Sequence, residues 1–207
     1  MEAGLDWVQG DIVGIAPSNM HANNSEVAEI DSYDPVTGVI VLYTALVGAH
    51  WGADVSTANE YDGIDMRTEV FLLNRNVVIQ GEDTEGWGCQ ILTSDFVDND
   101  SQRAGQTIFD YVEVKNCSQY NTYKSALRFE NSGYFRTSSV THSVIRHGMA
   151  WGLSVWNSQG LLFSNNIIFD QVNFGVNLIN STNITVSENL VVNINRREWE
   201  AEPHHYD

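Results

Sequence analysis

From Ser138 onward the chain repeats itself. Residues 138–160, 161–183 and 184 onward align without a gap at a period of 23 residues. Val140, Phe163 and Val186 share one column, Ser143, Asn166 and Asn189 a second, and Ile145, Ile168 and Val191 a third. Further on, Gly152 meets Gly175, Leu153 meets Val176, Val155 meets Leu178, and Asn157-Ser158 meets Asn180-Ser181. An earlier half-unit, residues 126–132, matches residues 152–158 after a longer turn. A period in the low twenties leaves two architectures, a leucine-rich repeat or a β-helix. The leucine spacing and back segment of the first are missing. Each unit instead holds two or three short β runs broken by polar turns, which is one coil of a β-helix. A single coil cannot bury its apolar face, so neighbours must stack.

The composition agrees. Hydrophobic residues make up 43% of the 207 positions and charged ones only 18%, so a core can form and the polar surface falls to Asn, Ser, Thr and Gln. No sustained helical period is present. Ten basic against 27 acidic residues give a net charge of −17, a field that repels nucleic acid and anionic lipid and tolerates calcium. No apolar run reaches membrane-span length, so direct membrane insertion by this segment is not expected. The start, Met1-Glu2-Ala3-Gly4, has no secretory leader pattern, and residues 200–207 fade into polar residues. Together these lead to the expectation of a fragment of a larger protein, with His204-His205 a tail rather than a metal site. Cys89 and Cys117 form one bridge or remain two buried thiols. Sequons begin at Asn23, Asn116, Asn180 and Asn183, which permits an extracellular or cell-surface glycoprotein.

Along the chain, strands are expected at residues 11–16, 27–30, 38–44, 71–73 and 77–79. Asp34-Pro35-Val36-Thr37-Gly38 is a turn, and Val39-Ile40-Val41-Leu42-Tyr43, rich in β-branched residues, reads as buried. Residues 82–106 read as a loop or insertion. The expected division is therefore 1–81, 82–106 and 107–207. Within the repeats, Leu161, Phe163 and Ile168 should point inward, with Ile184, Val186 and Val191 on one side and Ser138, Val140 and Ile145 on the other. Leu127 with Phe129, Leu153 with Val155, and Val176 with Leu178 should fill the other inner wall. Asn166 and Asn189 should form a structural asparagine ladder at a turn, and Gly152 and Gly175 a corner where a side chain would not fit or φ is unusual.

Asp6 to Val13, Tyr43-Thr44 with His50-Trp51-Gly52, and Glu69 to Gly81 resemble motifs of the G8-domain proteins, a group that includes the fibrocystin-like proteins and the cell-migration-inducing hyaluronan-binding hyaluronidase family. Asp6-Trp7-Val8-Gln9-Gly10-Asp11-Ile12-Val13 is similar to the family's "DWxxGDxIV", Tyr43-Thr44 with His50-Trp51-Gly52 to its "YTHxG" region with an insertion, and residues 69–81 to "EVGLLTRNVVVxG". The repeats from Ser138 resemble the parallel β-helix repeats that follow G8 in this group. The resemblance implies an all-β, right-handed parallel β-helix with a partial G8-type β region at 1–81; the hand also agrees with the general bias of parallel connections. The hyaluronan-degrading members carry a His-rich "PxHxHxxG" strand. The matching residues here, 123–133, lack that histidine pair, and the fibrocystin-like members are closer in character. The stacked repeats, the sequons and the missing pair lead to the expectation of a non-catalytic extracellular or cell-surface scaffold or recognition module, with a glycan or a cell-surface protein as partner. The alternative is a polysaccharide-degrading enzyme, a hydrolase or lyase.

A site on such a fold would be built from outward columns, about 4.8 Å apart from coil to coil. His147, Asp170 and Asn193 share one column, with Arg146 and Glu113 candidates for its neighbourhood and Arg128 and Glu130 on an outer strand face. A carboxylate beside an imidazole can handle a glycosidic oxygen or a uronate proton; a solvated turn is the alternative. Trp156, in a column with Glu130 and Ile179, can stack on a sugar or pack against a loop. Trp151 and Phe174 should cover a hydrophobic edge. Asp95, Asp98, Asn99 and Asp100 offer hard oxygen ligands of the kind calcium takes, or a solvated acidic loop.

Overall fold

The computed structural model describes residues 3–18, 21, 24–52, 60–61, 64–65, 67–82 and 86–195; Asn23 and His204-His205 lie outside them. Among the described residues there is no α-helix. Strands β1 (Ile12–Ile15), β2 (Glu26–Asp34), β3 (Val39–Leu42) and β6 (Val70–Leu72) form an antiparallel sheet in the order β3-β2-β1-β6. A two-stranded ladder, β4 (Glu60–Tyr61) with β5 (Ile64–Asp65), lies between β3 and β6 in sequence. The turn over 34–38 forms, with Asp34 accepting from the Val36 N–H and the Thr37 hydroxyl at 2.9 and 2.6 Å. This sheet departs from expectation in one respect. Val39 and Val41 are 57% and 48% exposed, not buried, because they alternate with Ile40 and Leu42, which pack on the core, and so lie on the outer face of the sheet.

From Val77 onward the described strands, one hairpin excepted, stack as a parallel β-helix with three walls. Wall A contains β11 (Ile108–Asp110), β14 (Ser138–Thr141), β17 (Gln159–Ser164) and β20 (Thr182–Ser187). Wall B contains β7 (Val77–Gln80), β12 (Val112–Lys115), β15 (Val144–Arg146), β18 (Ile167–Val172) and β21 (Leu190–Asn195). Wall C contains β8 (Ile91–Thr93), β13 (Leu127–Glu130), β16 (Leu153–Trp156) and β19 (Val176–Ile179). The chain passes from B to C to A in each coil. Register follows the repeat, with Ile145↔Ile168↔Val191, Val140↔Phe163↔Val186 and Leu153↔Val176 as partners. Residues 82–106, expected as a loop or insertion, carry β8 of wall C and the hairpin of β9 (Phe96–Asp98) with β10 (Ser101–Arg103).

The lumen is apolar. Phe129, Val140, Ile145, Leu153, Val155, Leu161, Phe163 and Ile168 are at most 3% exposed and pack together. Burial of one such side chain stabilises by about 1.5–3 kcal/mol. On the last coil the same columns are open: Leu178, Val186 and Val191 are 40–45% exposed, since no described strand lies beyond them. Wall B is covered outside as well. Phe71 and Leu73 from the antiparallel part bury against Val144 and Phe169. Beneath that cover, Glu113 is 2% exposed and pairs with Arg146 at 2.7 Å. Arg75 ties the two parts together through its side chain, donating to the carbonyls of His142 and Leu72 at 2.9 and 3.1 Å; burial lowers its guanidinium pKa.

Candidate functional site

At the corner from A to B the three repeated coils turn in two residues, 142–143, 165–166 and 188–189. The first adopts positive φ: His142 48°, Asn165 55°, Glu188 54°. The second points inward and caps the backbone of the coil below. Ser143 Oγ accepts from the Val112 N–H, Asn166 Oδ1 from the Ser143 N–H, and Asn189 Oδ1 from the Asn166 N–H, at 2.9–3.1 Å. Asn166 and Asn189 also donate Nδ2 to the carbonyls of Val140 and Phe163 at 2.8 and 2.9 Å. Asn166 is 1% exposed, so this is a structural device rather than a surface one. The corner from C to A has a serine version, with Ser158 Oγ accepting from the Ser132 N–H and Ser181 Oγ from the Ser158 N–H.

The corner from B to C differs. It is where His147, Asp170 and Asn193 come together, all at positive φ of 53–56°. His147 Nδ1 lies 2.7 Å from Asp170 Oδ2, and Asp170 Oδ1 accepts from Asn193 and Asn195 at 3.1 and 3.3 Å. Both members of the pair are about one third exposed. The carboxylate is thus held from three sides, and the imidazole leans edge-on against Phe169 at 6.2 Å. Arg146 and Glu113 do not join them, being turned under the antiparallel sheet. Arg128 and Glu130 pair with each other at 2.7 Å on the outer face of wall C. Trp156 is half-buried there, with the Arg128 guanidinium 4.8 Å over its ring and Tyr123 6.3 Å from it. Gly152 and Gly175 start wall C without positive φ; a Cβ would meet Gly175 O at 2.8 Å in one case and Val191 at 2.6 Å in the other, so the reason for glycine is space. The cysteines are joined as a disulfide, Cys89–Cys117, across the same corner of the first two coils.

The acidic candidates do not converge. Asp95 uses both oxygens on backbone, Oδ1 accepting from Gly105 N–H at 2.8 Å and Oδ2 from Tyr134 N–H at 2.9 Å. Asn99 and Asp100 form the β9–β10 turn at φ 46° and 64°, the conformation that tight two-residue hairpins favour. Among the described residues no group of three or more His, Cys, Asp or Glu could hold a metal ion.

Two features are not legible in the sequence. One is a second acid–imidazole pair, Asp110 with His142 at 2.8 Å, with Tyr111 stacked on the imidazole at 4.8 Å. Hydrogen bonds from His142 and then Thr141 lower the Asp110 pKa. The other is a hydrogen-bonded Glu26–His50 pair in the antiparallel part. Glu26 accepts from the Val47 and Gly48 N–H groups and from His50, and these bonds lower its pKa in that order.

No family model matches the chain. It is 24% identical to human "Fibrocystin-L" over 90% of its length and 24% identical to dog "Fibrocystin" over 96%. It is 29% identical to human "Cell surface hyaluronidase CEMIP2" over 53% of its length. The chain spans only 5% of the length of those fibrocystins and 9% of that of the hyaluronidase.

Proposed function

We propose that this chain is a non-catalytic recognition segment of a larger, fibrocystin-like cell-surface protein. The observation that carries the reading is the make-up of the His147–Asp170 column, where imidazole and carboxylate meet within the regular repeats. Its next member is Asn193, an amide, and Asp170 spends its oxygens on His147, Asn193 and Asn195. Hydrolysis by paired carboxylates needs a second acid across the bond being broken, and an amide cannot supply that proton. The absence of the histidine pair from residues 123–133 weighs on the same side.

The second reading, a polysaccharide-degrading enzyme, draws on the His147–Asp170 contact and on the similarity to a protein named as a hyaluronidase. Incubation with hyaluronan, pectate and chondroitin, with and without calcium, decides between them by chain length of the product. No change in length is expected. Clear depolymerisation that His147→Ala abolishes would establish the enzyme instead.

A further inference from the structure

Among the described residues the corner from B to C carries an aromatic side chain in each coil: Trp87 in the first, Tyr120 and Tyr123 in the second, Trp151 in the third and Phe174 in the fourth. Three of them, Tyr123, Trp151 and Phe174, touch in sequence up the stack. Tyr123 meets Trp151 edge-on at 5.5 Å, and Trp151 meets Phe174 at 5.3 Å. Trp151 is the buried spine at 7% exposure, while Trp87, Tyr123 and Phe174 present 60%, 55% and 49% of their surface to solvent. The aromatic row therefore continues outward rather than closing into a core. Four residues before Trp151, in the same turn, stands His147, beneath Asp170. One corner thus sets apolar ring faces beside a file of hydrogen-bonding groups, both running parallel to the stacking axis.

We propose that this corner binds a neutral polysaccharide laid along the axis, its pyranose faces against Tyr123 and Phe174 and its hydroxyls toward His147. This rests on the recognition reading above and gives it a ligand class. A pyranose has an apolar C–H face and a polar rim, the two surfaces this corner supplies; aromatic side chains with one wet edge suit such faces. The repeat of about 4.8 Å per coil places successive contacts along an extended chain rather than around a compact ligand. Charge selects among glycans. A protein of net charge −17 repels a polyanion, and the nearest cations are engaged: Arg128 by Glu130, and Lys124 over the Trp87 ring at 5.7 Å.

The test is isothermal titration calorimetry of the protein against neutral xylan-, mannan-, cellulose- and laminarin-type oligosaccharides, with hyaluronan and polygalacturonate oligomers alongside. A neutral oligosaccharide is expected to bind, the acidic ones more weakly. Tyr123→Ala and Phe174→Ala should each weaken binding about three- to tenfold, and Phe135→Ala, an exposed aromatic at another corner, should leave it unchanged. Unfolding curves confirm that each variant is folded. Absence of binding to every neutral glycan, preference for the acidic ones, or insensitivity to both aromatic variants would each overturn the proposal. A protein that neither binds nor cleaves these glycans sinks this inference alone; one that depolymerises a glycan sinks the non-catalytic reading.

Discussion

Between Ser164 and Ile167 the chain turns from wall A to wall B in two residues, and the neighbouring coils do the same at 142–143 and 188–189. Between Arg146 and Leu153 it takes residues 147–152 to pass from B to C; between register-matched positions the coil above takes 170–175 and the coil below the longer 116–126. The first corner buries an amide or hydroxyl that caps the backbone of the coil below. That capping works at one length only, because the inward side chain must arrive opposite a particular N–H. The second corner has one such cap, Ser118 Oγ accepting from the Ala150 N–H at 2.8 Å, but no ladder that continues through the coils, and one coil is longer there. Several of its side chains point outward, and there the aromatic row and the His147–Asp170 pair are found. A corner that fixes register cannot vary; a corner relieved of that duty can carry recognition.

The sharpest way to break this comparison is Asn166→Leu. It strands the Ser143 N–H and the Val140 carbonyl, both buried, at roughly 1–3 kcal/mol each. Denaturant unfolding should show a loss of about 4 kcal/mol in all, with Asn166→Ser milder because a hydroxyl can still cap one group. If Asn166→Leu matches the parent, the ladder does not fix the corner.

Next in size is the disulfide. At the corner without a ladder, Cys89–Cys117 joins the first two coils across 28 residues of sequence, doing by covalent means what the amides do elsewhere. Replacing both by serine should cost about 3 kcal/mol, visible as a lower midpoint under oxidising conditions that a reductant no longer shifts. An unchanged midpoint would mean that the long B-to-C turn holds itself.

His147→Ala should cost far less, at most about 1 kcal/mol, since its partner is a one-third-exposed carboxylate that two asparagines still hold. The comparison fails if this variant is as damaging as Asn166→Leu.

The stack is legible in the sequence where coils are of equal length. The column of Ile145, Ile168 and Val191 is evident because the interval from Ser143 to Asn166 to Asn189 is 23 residues each time. One coil lower, the Val112 N–H meets Ser143 across 31 residues, and the turns 116–126 and 131–137 hide the repeat. So no period marks β7, β8, β11 and β12 as parts of coils, and none aligns Trp87, Tyr120 and Tyr123 with Trp151 and Phe174. The Asp110–His142 pair is hidden for the same reason and for a second one: it joins adjacent columns, across 32 residues, rather than members of one column. The exposure of Val39 and Val41 is also out of reach, because β propensity describes the strand and not which of its two faces is covered. Burial of Glu113 needs the fold of the chain back onto wall B, which no local pattern records.

The smallest expected effect concerns the outward side of the fixed corner, where Asp110 meets His142 and Thr141 at 2.8 Å each. If recognition and stability are separated as the two corners suggest, the outward surface here should add little to stability while leaving a clear signature in pH. His142 and Thr141 hold the Asp110 carboxyl below its ordinary value. Its folded pKa is then lower than the unfolded one, near ~3.9. The contribution is fully present above the unfolded value and is lost as pH falls through the folded value. Asp34, lowered by Thr37 and Val36, behaves likewise in the antiparallel part, so the acid limb of the parent alone does not isolate the pair. Asp110→Asn does. The difference in unfolding midpoint between parent and variant should be small and should shrink as the solution is acidified below the usual carboxylate range. A carboxyl-detected NMR titration reads the same group directly and should find Asp110 ionising below that range. A difference that grows on acidification has the wrong sign for a lowered carboxyl, and would mean that the His142 contact is made by the protonated acid.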